Sequence, residues 1–316
     1  MPVDLLERRL LFVTGKGGVG KTTVAAALGL LAARHGRRTL VCEVDAKGAL
    51  ADALEAGPAG YKPVPVRDGL SVMAMDTEES LKEYLALHLR VPLVARIGSL
   101  ARTLDFVASA APGVKEILTV GKLCYEVRER HYDLVVVDAS ATGHIVGQLA
   151  SPDAINSLVH VGAVREQTRW MLDILQDPAQ TGVVIVASPE EMPVTETIDL
   201  AARLSDSTRV DLAAVVVNRV LPELFSRSEE DLFERLRSEP WLSRLRERVG
   251  PGVDAVLDAA ELAVRLRRTG AEHLDALRRA LGDRLPMLYV PELFHRTPGR
   301  RATGQIAEAL GEEVGL

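Results

Sequence analysis

A nine-residue turn, Gly15 to Thr23, constrains this chain more than any other stretch, because its sequence GKGGVGKTT demands particular surroundings. An apolar run, Leu10 to Val13, leads into the turn, and an alanine- and leucine-rich helical stretch, Val24 to Arg34, leads out of it. Strand, glycine loop and helix in this order are the setting of a phosphate-binding loop (P-loop). The glycines let backbone N–H groups curl around an anion, and the helix directs its free N–H groups at the same phosphates. The sequence therefore predicts a nucleotide site.

Two side chains of the P-loop add a charge and a metal ligand to this backbone cradle. Lys21 is placed to act as a cation for the β- and γ-phosphates, and the Thr22 hydroxyl is placed to bind Mg²⁺. We expect the other contacts to the nucleotide to come from the neighbouring loop residues. These are Gly15, Gly17, Gly18, Val19, Gly20 and Thr23. The predicted cofactors are ATP or ADP and Mg²⁺.

Lys16 indicates a particular class of P-loop, since the general P-loop pattern accepts any residue at its position. The chain has seven lysines against thirty-one arginines, and two of the seven lie in this loop. The string KGGVGKTT resembles the deviant Walker A loop of the ATPase superclass that contains nitrogenase iron protein, the septum-site and partition ATPases, and the arsenical-pump ATPases. The resemblance implies that Lys16 reaches across a dimer to the partner's nucleotide, where a cation offsets charge on the transferred phosphoryl group.

Composition and charge are those of a globular protein without a general affinity for polyanions. Of its 316 residues 47% are hydrophobic, and the net charge of −6 gives no attraction to nucleic acid or anionic lipid. Asp4, Glu7, Arg8 and Arg9 precede any apolar run, which argues against a signal peptide. The longest apolar helical stretch, Val24 to Ala33, is too short to span a bilayer. We therefore expect a cytoplasmic protein that reaches a membrane only through a partner.

The chain has two cysteines, Cys42 and Cys124, and they form no C-x-x-C motif. Such a pair predicts neither a structural zinc site nor a redox centre. Cys42 lies in an apolar run and is expected to be a buried, small hydrophobic residue. Zinc and iron–sulfur clusters are accordingly not among the expected cofactors.

Seven short apolar runs of β type recur along the chain, and each is followed by turn residues and then by a helical pattern. They are Leu10–Thr14, Thr39–Val44, Leu70–Met75, Leu134–Val137, Val183–Ala187, Leu212–Val217 and Met287–Val290. Near-continuous Val, Ile and Leu content predicts strands covered on both faces, hence a doubly wound α/β fold with a mainly parallel sheet. Ligands of such sheets bind beyond the carboxyl ends of the strands, where the P-loop lies.

We expect one P-loop ATPase domain over residues 1–316, interrupted by helical insertions. The insertions lie at about 77–130, 153–180 and 223–285. Proline and glycine residues break the helical pattern of the first and third insertions. These breaks are Pro92, Pro112-Gly113, Pro240 and Gly250-Pro251-Gly252. A specific partner would dock on these insertions, although core packing explains most of their apolar residues equally well.

Asp138 directly follows the strand Leu134–Val137 and suits a Walker B aspartate, which holds Mg²⁺ through the water shell of the ion. A lone aspartate at the end of a strand is usually a turn residue. Because the same chain contains a P-loop, the metal-site interpretation of Asp138 is favoured over the turn interpretation. We therefore predict Asp138 as a residue of the metal site.

The segment from Asp138 to Pro152, DASATGHIVGQLASP, resembles the switch II of the arsenical-pump and tail-anchored-protein-targeting ATPase family. Thr142, Gly143 and His144 match its most family-specific part, whereas Ala141 replaces the family's proline. The resemblance extends over most of the chain through further strings. They are the P-loop at Gly15, APGVKEIL from Ala111, SPEEMPVTET from Ser188, VVVNR from Val215 and VPELF from Val290.

The same resemblance assigns a switch I residue. Asp45 lies where the family's aspartate orients the attacking water, which a carboxylate can do by accepting a hydrogen bond. Ala46-Lys47-Gly48 replaces the family's P-A-H, so this switch is expected to move differently or to support slower hydrolysis. Lys16, Asp45 and Asp138 are thus the predicted catalytic residues.

The resemblance also implies where the base binds. Asn218 lies where the family uses an asparagine amide, which can both donate and accept, to bind the adenine edge. Pro291 and Leu293 lie in the segment that closes over the base in the family. We therefore predict that all three contact the nucleotide.

Taken as a family member, the chain is expected to be an ATPase that dimerises with an identical or a paralogous chain. ATP would change its shape so that it binds or releases a protein client or a membrane partner. The zinc motif and the methionine-rich groove of the targeting members are not evident, since only Met171 lies in a plausible groove-lining helix. Cys42 and Cys124 lack a third partner for metalloid sensing.

The alternative is a partition or septum-positioning ATPase that acts by binding a surface. The tail from Gln305 to Leu316 has three glutamates and no Lys or Arg, which argues against a basic membrane helix. The segment from Arg227 to Arg301 has fifteen arginines against thirteen acidic residues, too balanced for nonspecific DNA binding. An iron–sulfur reductase would need two interface cysteines per subunit, for which Cys124 is conceivable and Cys42 is not.

Overall fold

The structure is a computed structural model that describes residues 4–45, 47–89, 113–158, 163–250, 252–282, 285–294 and 299–316. The described strands are β1 (Leu10–Gly15), β2 (Thr39–Glu43), β3 (Val64–Arg67), β4 (Leu70–Ala74), β5 (Leu134–Asp138), β6 (Thr181–Ala187), β7 (Leu212–Val220) and β8 (Met287–Pro291). They form an eight-stranded sheet in the order β3-β4-β2-β5-β1-β6-β7-β8. All neighbours are parallel except β3 and β4. The predicted doubly wound, mainly parallel α/β fold is confirmed.

The described helices are α1 (Lys21–Arg34), α2 (Ala49–Leu54), α3 (Thr77–Leu89), α4 (Val114–Arg128), α5 (Thr142–Leu158), α6 (Ala163–Leu175), α7 (Glu191–Ser207), α8 (Arg227–Leu236), α9 (Trp241–Val249), α10 (Val253–Leu281) and α11 (Arg300–Val314). The breaks that we predicted at Pro240 and at 250–252 fall directly before α9 and between α9 and α10. Pro92 and Pro112 lie outside the described residues, whereas Gly113, the other residue of the second predicted break, directly precedes α4. None of the described helices combines the length and the apolar character needed to cross a membrane.

Both faces of the sheet are buried, which explains why the strands are continuous apolar runs. In β1, Leu11 and Val13 pack into the core shared with α1, α2 and α11. Leu10 and Phe12 of the same strand pack into the core on the opposite face, shared with α4 to α7 and α10. Successive side chains of a strand point to opposite faces, so a strand with a helix layer on each side needs an apolar residue at every position.

The edge strand β3 is the one described strand that sequence analysis missed. Its residues alternate between half-buried and exposed, and it contains Pro65. Proline cannot donate to a sheet ladder and is found in strands mainly at edges. A short, half-exposed, proline-containing segment therefore lacks the apolar signal by which the other seven strands were predicted.

The register of the sheet brings the ends of three strands together. Asp138 of β5 pairs with Val13 of β1 on one side and with Glu43 of β2 on the other. Gly15, where the P-loop starts, pairs with Val186 of β6. The P-loop and the carboxylates that follow β2 and β5 therefore meet at one edge of the sheet.

Candidate nucleotide site

The P-loop connects β1 to α1 and ends in a left-handed residue, Gly20, with a φ of 98°. Residues with a side chain rarely adopt this conformation, so the loop can enter the helix this way only because glycine is present. Glycine also has no side chain with which to cap the helix. The N–H groups of the first turn of α1 are therefore left for phosphate oxygens.

Neighbouring strands hold the loop so closely that a side chain would not fit. A Cβ atom on Gly15 would lie 2.2 Å from the carbonyl oxygen of Val186, and one on Gly20 would lie 2.3 Å from Nδ2 of Asn218. A Cβ atom on Gly17 or on Gly18 would have no neighbour within 4 Å. The loop is thus pinned at its two ends and open in its middle, as a phosphate cradle requires.

Asn218 makes a contact in the structure that sequence analysis did not predict. Its side chain is buried, and Nδ2 donates a hydrogen bond of 2.8 Å to the carbonyl oxygen of Val19. The amide nitrogen thereby fixes the P-loop. A contact with adenine, as predicted, would fall to the amide oxygen Oδ1.

The predicted base-closing segment lies beside Asn218. Pro291, at the end of β8, pairs with Val220 of β7, and the N–H of Glu292 donates to the carbonyl oxygen of Val220. Leu293 packs partly buried against the core on the α1 side of the sheet. The segment after β8 is therefore held next to the strand end that carries Asn218.

Thr22 and Asp138, the two predicted metal-site residues, are in direct contact. The hydroxyl of Thr22 donates a hydrogen bond of 2.7 Å to Oδ2 of Asp138. Nearby, Nζ of Lys21 donates to the carbonyl oxygen of Lys16 at 3.1 Å, so it lies over the loop. Burial lowers the pKa of Lys21, although the charges of Asp138 and then of Asp45 oppose this shift.

The pKa of Asp138 lies above the ordinary value of an aspartate. Burial raises its pKa to about 6, with the Thr22 hydrogen bond acting against the rise. The negative charge of Glu43 raises the pKa further, the positive charge of Lys21 lowers it, and Asp45 raises it again. Asp138 therefore sits in a crowded, poorly hydrated group of carboxylates that a divalent cation would neutralise.

Glu43 orders the segment that carries the predicted switch I, a role that sequence analysis missed. Its buried carboxylate accepts hydrogen bonds from the N–H groups of Lys47, Gly48 and Ala49, at distances of 3.0 to 3.2 Å. These groups belong to the start of α2, where a negative charge is favourable. The position of Glu43 at the end of a buried strand was the available signal.

Asp45 is tied to the chain that follows Asp138. Its Oδ1 atom accepts a hydrogen bond of 3.4 Å from the hydroxyl of Ser140, and its Oδ2 atom lies 3.8 Å from Nζ of Lys47. The carbonyl oxygen of Ser140 in turn accepts from the hydroxyl of Thr14 at 2.9 Å. The two predicted switch segments thus touch each other beside the P-loop, whereas Ala46 lies outside the described residues.

Lys16 makes an ion pair that sequence analysis did not anticipate. Its Nζ atom lies 2.7 Å from Oε1 of Glu196 in α7. Glu196 belongs to the string SPEEMPVTET that carried part of the resemblance, but no role was assigned to it. In this structure Lys16 is therefore neutralised by a carboxylate of its own chain.

Both cysteines are fully buried, and this burial raises the pKa of each thiol. The prediction for Cys42 is confirmed. Cys124 was the conceivable interface ligand of an iron–sulfur cluster, and its burial in the core contradicts that alternative. Over the described ranges no group of three or more His, Cys, Asp and Glu side chains is arranged to hold a metal ion.

The residues present fit a nucleotide with Mg²⁺. Mg²⁺ keeps several waters and needs only one or two protein ligands when substrate phosphates supply the others. Thr22 can supply a direct oxygen and Asp138 a carboxylate beyond the water shell. The open middle of the P-loop and the first turn of α1 supply the N–H groups for the phosphates.

Comparison with known proteins gives an independent result. Residues 8–172 and 156–239 match the family described as anion-transporting ATPases. Over 232 residues the chain is 32% identical to ATPase BagA of Mycobacterium tuberculosis. This match covers 70% of the chain and 68% of that protein.

Two further relatives extend the comparison. The chain is 29% identical over 272 residues to a Halobacterium salinarum protein that is named as an arsenical pump-driving ATPase. This match covers 78% of the chain and 41% of that protein. The chain is also 26% identical over 250 residues to an ATPase ASNA1 homolog of Entamoeba dispar. This match covers 67% of the chain and 76% of that protein. These matches confirm the resemblance that the motifs carried.

We predict that Lys21→Ala weakens ATP binding by about 100-fold, because a charge-assisted contact to the phosphates is lost while the fold survives. Calorimetric titration of the folded variant with ATP and Mg²⁺ measures this loss. Lys62→Ala, which removes an exposed lysine outside the P-loop, is the matched control. Wild-type affinity in Lys21→Ala would overturn the assignment of the loop.

We also predict that binding of ATP with Mg²⁺ releases protons from Asp138 near pH 6, about half a proton per site. Below a pKa of about 6 the carboxyl group of Asp138 carries a proton, which it must lose before it can face Mg²⁺. Affinity should therefore fall as the pH drops through 6, because the protonated form competes with metal binding. Calorimetry at pH 6, in two buffers with different ionisation enthalpies, measures the released protons.

Asp138→Asn is the control for this measurement, since the γ-phosphate itself titrates in the same range. Wild type should release about half a proton per site more than the variant at pH 6. Equal release from both proteins would contradict the raised pKa of Asp138.

Proposed function

Since the chain belongs to the anion-transporting ATPase family and is an ATP-hydrolysing enzyme, we propose that it works as a Mg²⁺-dependent dimeric switch. ATP favours a closed pair of subunits and hydrolysis lets the pair open. The change of shape binds or releases a protein client, or couples the enzyme to a membrane partner. The second subunit is an identical chain or a paralogue.

The hydrogen bond between Thr22 and Asp138 is the observation that supports the Mg²⁺-dependent nucleotide site of this proposal. It brings the P-loop hydroxyl and the strand-end carboxylate to 2.7 Å, where both can serve one metal ion. Bound Mg²⁺ neutralises charge on the β- and γ-phosphates during transfer. Lys21 supplies a further positive charge from within the loop.

Asp45 is proposed to orient the attacking water. A carboxylate that accepts a hydrogen bond from water can align it on the γ-phosphorus. The hydrogen bond from Ser140 to Asp45 supports this role, because it links Asp45 to the segment that also carries Asp138. A movement of one switch segment would then reposition the other.

Lys16 is proposed to act in trans. A lysine at this position would stabilise the developing charge on the γ-phosphate of the facing subunit, as an arginine finger does in other phosphoryl-transfer enzymes. The working unit would then be a dimer with its two nucleotide sites facing each other. ATP supplies the γ-phosphate that this contact needs, and ADP does not.

The helices between β4 and β6 are proposed to meet the client. Residues of α3 to α6 enclose a cavity of about 200 Å³ whose walls include Leu81, Ile117, Trp170 and Met171. An apolar cavity next to the switch II helix α5 supports a site that responds to nucleotide. Metalloid sensing is not proposed, since the two cysteines of the chain are buried on separate elements.

The partition or septum alternative receives less support. The helix α11, which would have to lie on a membrane, buries Ala302, Ile306, Leu310 and Val314. These side chains belong to the core that also contains α1. An apolar face already used inside the protein is not available to a lipid surface.

We predict that Asp45→Asn separates binding from hydrolysis. The amide keeps the size of the side chain but is a poorer acceptor for aligning water, so ATP should still bind while hydrolysis falls by about 10²- to 10⁴-fold. Phosphate release under single-turnover conditions measures the effect. Asp68→Asn, at an exposed turn, is the control, and an unchanged rate in Asp45→Asn would move the catalytic role elsewhere.

We predict that Lys16→Ala binds ATP nearly normally but loses both hydrolysis and ATP-dependent closure. The cation that reaches the partner's phosphate is then missing, while the cradle in cis is intact. Small-angle scattering and light scattering, with and without a nonhydrolysable ATP analogue, measure closure and assembly. A wild-type protein that hydrolyses ATP as a strict monomer would refute the role in trans.

A further inference from the structure

Glu196, in the second turn of α7, joins two parts of the nucleotide site that are far apart in sequence. Its Oε1 atom lies 2.7 Å from Nζ of Lys16 in the P-loop. Its Oε2 atom accepts a hydrogen bond of 3.3 Å from the hydroxyl of Thr142, the first residue of α5. One carboxylate thus contacts both the P-loop lysine and the start of the switch II helix.

The packing of α7 fixes the direction in which Glu196 faces. Pro193, Val194 and Thr197, which surround it on the helix, are buried, so α7 cannot rotate without exposing them. The strand before α7 is β6, and the carbonyl oxygen of its Val186 lies against Gly15. Rigid elements therefore present Glu196 to the P-loop.

Lys16 can exchange its contact with Glu196 for a contact with another anion. The two side chains are 26% and 33% exposed, and ion pairs in contact with water are easily separated. While Glu196 holds it, Lys16 is not available to another anion. A γ-phosphate carries more charge and more acceptor oxygens than a carboxylate, so it competes well for the same ammonium group.

Buried polar atoms of α5 and α7 favour a second arrangement of the two helices. The two helices pack against each other, and each contributes one buried side-chain atom without a hydrogen-bond partner in the described part of the chain. These atoms are Oε1 of Gln148 in α5 and Oγ1 of Thr197 in α7. Buried unsatisfied groups are unfavourable, so a second arrangement of these helices that satisfies them would gain stability.

We infer that Glu196 is a positioning residue that holds Lys16 in cis in the nucleotide-free subunit and releases it to the partner's ATP. Once Lys16 has left, the carboxylate interacts with Thr142 alone, and this ties the closed dimer to the position of α5. The inference rests on the proposed function, because Lys16 needs a phosphate across a dimer to which it can move. Glu196 thus sets how much ATP is needed for closure.

Glu196→Gln tests this inference, since the amide keeps the size of the side chain and an oxygen for Thr142 but removes the charge that holds Lys16. In the nucleotide-free protein, Lys16 should react several-fold faster with limiting acetic anhydride. The chain has seven lysines, so mass spectrometry can follow each of them, with Lys62 as internal reference. Closure, followed by small-angle scattering, should need a several-fold lower concentration of a nonhydrolysable ATP analogue.

Two further variants separate a positioning role from a merely structural one. Asp199→Asn removes a charge from an exposed position of the same helix and should change neither labelling nor closure. Thr142→Val removes the second hydrogen bond to Glu196 and should raise the analogue concentration needed for closure. Should Glu196→Gln fail to fold by circular dichroism, Glu196→Asp withdraws the carboxylate from Lys16 by one methylene and should make the labelling of Lys16 faster in smaller measure.

The inference fails if Lys16 in the folded Glu196 variant is labelled as slowly as in wild type. It also fails if labelling becomes faster while closure needs an unchanged concentration of analogue. The proposed function fails separately, in the wild-type protein, if ATP is bound and hydrolysed without any closure. A wild type that closes with analogue, beside a Glu196→Gln that behaves like Asp199→Asn, overturns the inference alone.

Discussion

The close fit of the P-loop between β6 and Asn218 is the constraint on which the site depends. The carbonyl oxygen of Val186 and the amide of Asn218 leave no room for a Cβ atom at Gly15 or Gly20. The loop backbone is thereby fixed before any phosphate arrives, and its N–H groups need little reorganisation to receive one. Preorganised donors of this kind are more effective than mobile ones, because the cost of ordering them is met during folding.

Negative charge is concentrated at the same edge of the sheet. Asp138 and Glu43 are buried side by side at the ends of β5 and β2, and Asp45 follows two residues after Glu43. The carboxylate of Glu43 accepts hydrogen bonds from N–H groups at the start of α2, whereas the carboxyl group of Asp138 has a raised pKa. Burial is the main reason that the ionised form of Asp138 is unfavourable, and the charges of Glu43 and Asp45 add to it. A bound divalent cation would offset this cost.

The sequence was most informative where local chemistry determines structure. Seven strands were visible as apolar runs because both faces of the sheet are covered, and the P-loop was visible because its glycines and lysines are spaced for phosphate. The half-exposed strand β3 lacked that signal. The contacts of Asn218 and Glu196 could not be predicted either, because each joins residues about 180 to 200 positions apart, and such pairs depend on the register of the whole sheet. A strand-end asparagine was identifiable as important, but not the loop carbonyl to which it binds.

The position of β1 has a consequence for how the protein is made. This strand precedes the other described strands in the chain, yet it lies in the interior of the sheet, between β5, which begins at Leu134, and β6, which begins at Thr181. Asn218, which fixes the loop after β1, emerges from the ribosome later still. Contacts between such distant residues slow folding, because a long loop must close before they form. On a nascent chain the P-loop therefore lacks its contact with Asn218 until the residue 199 positions after Val19 has been translated.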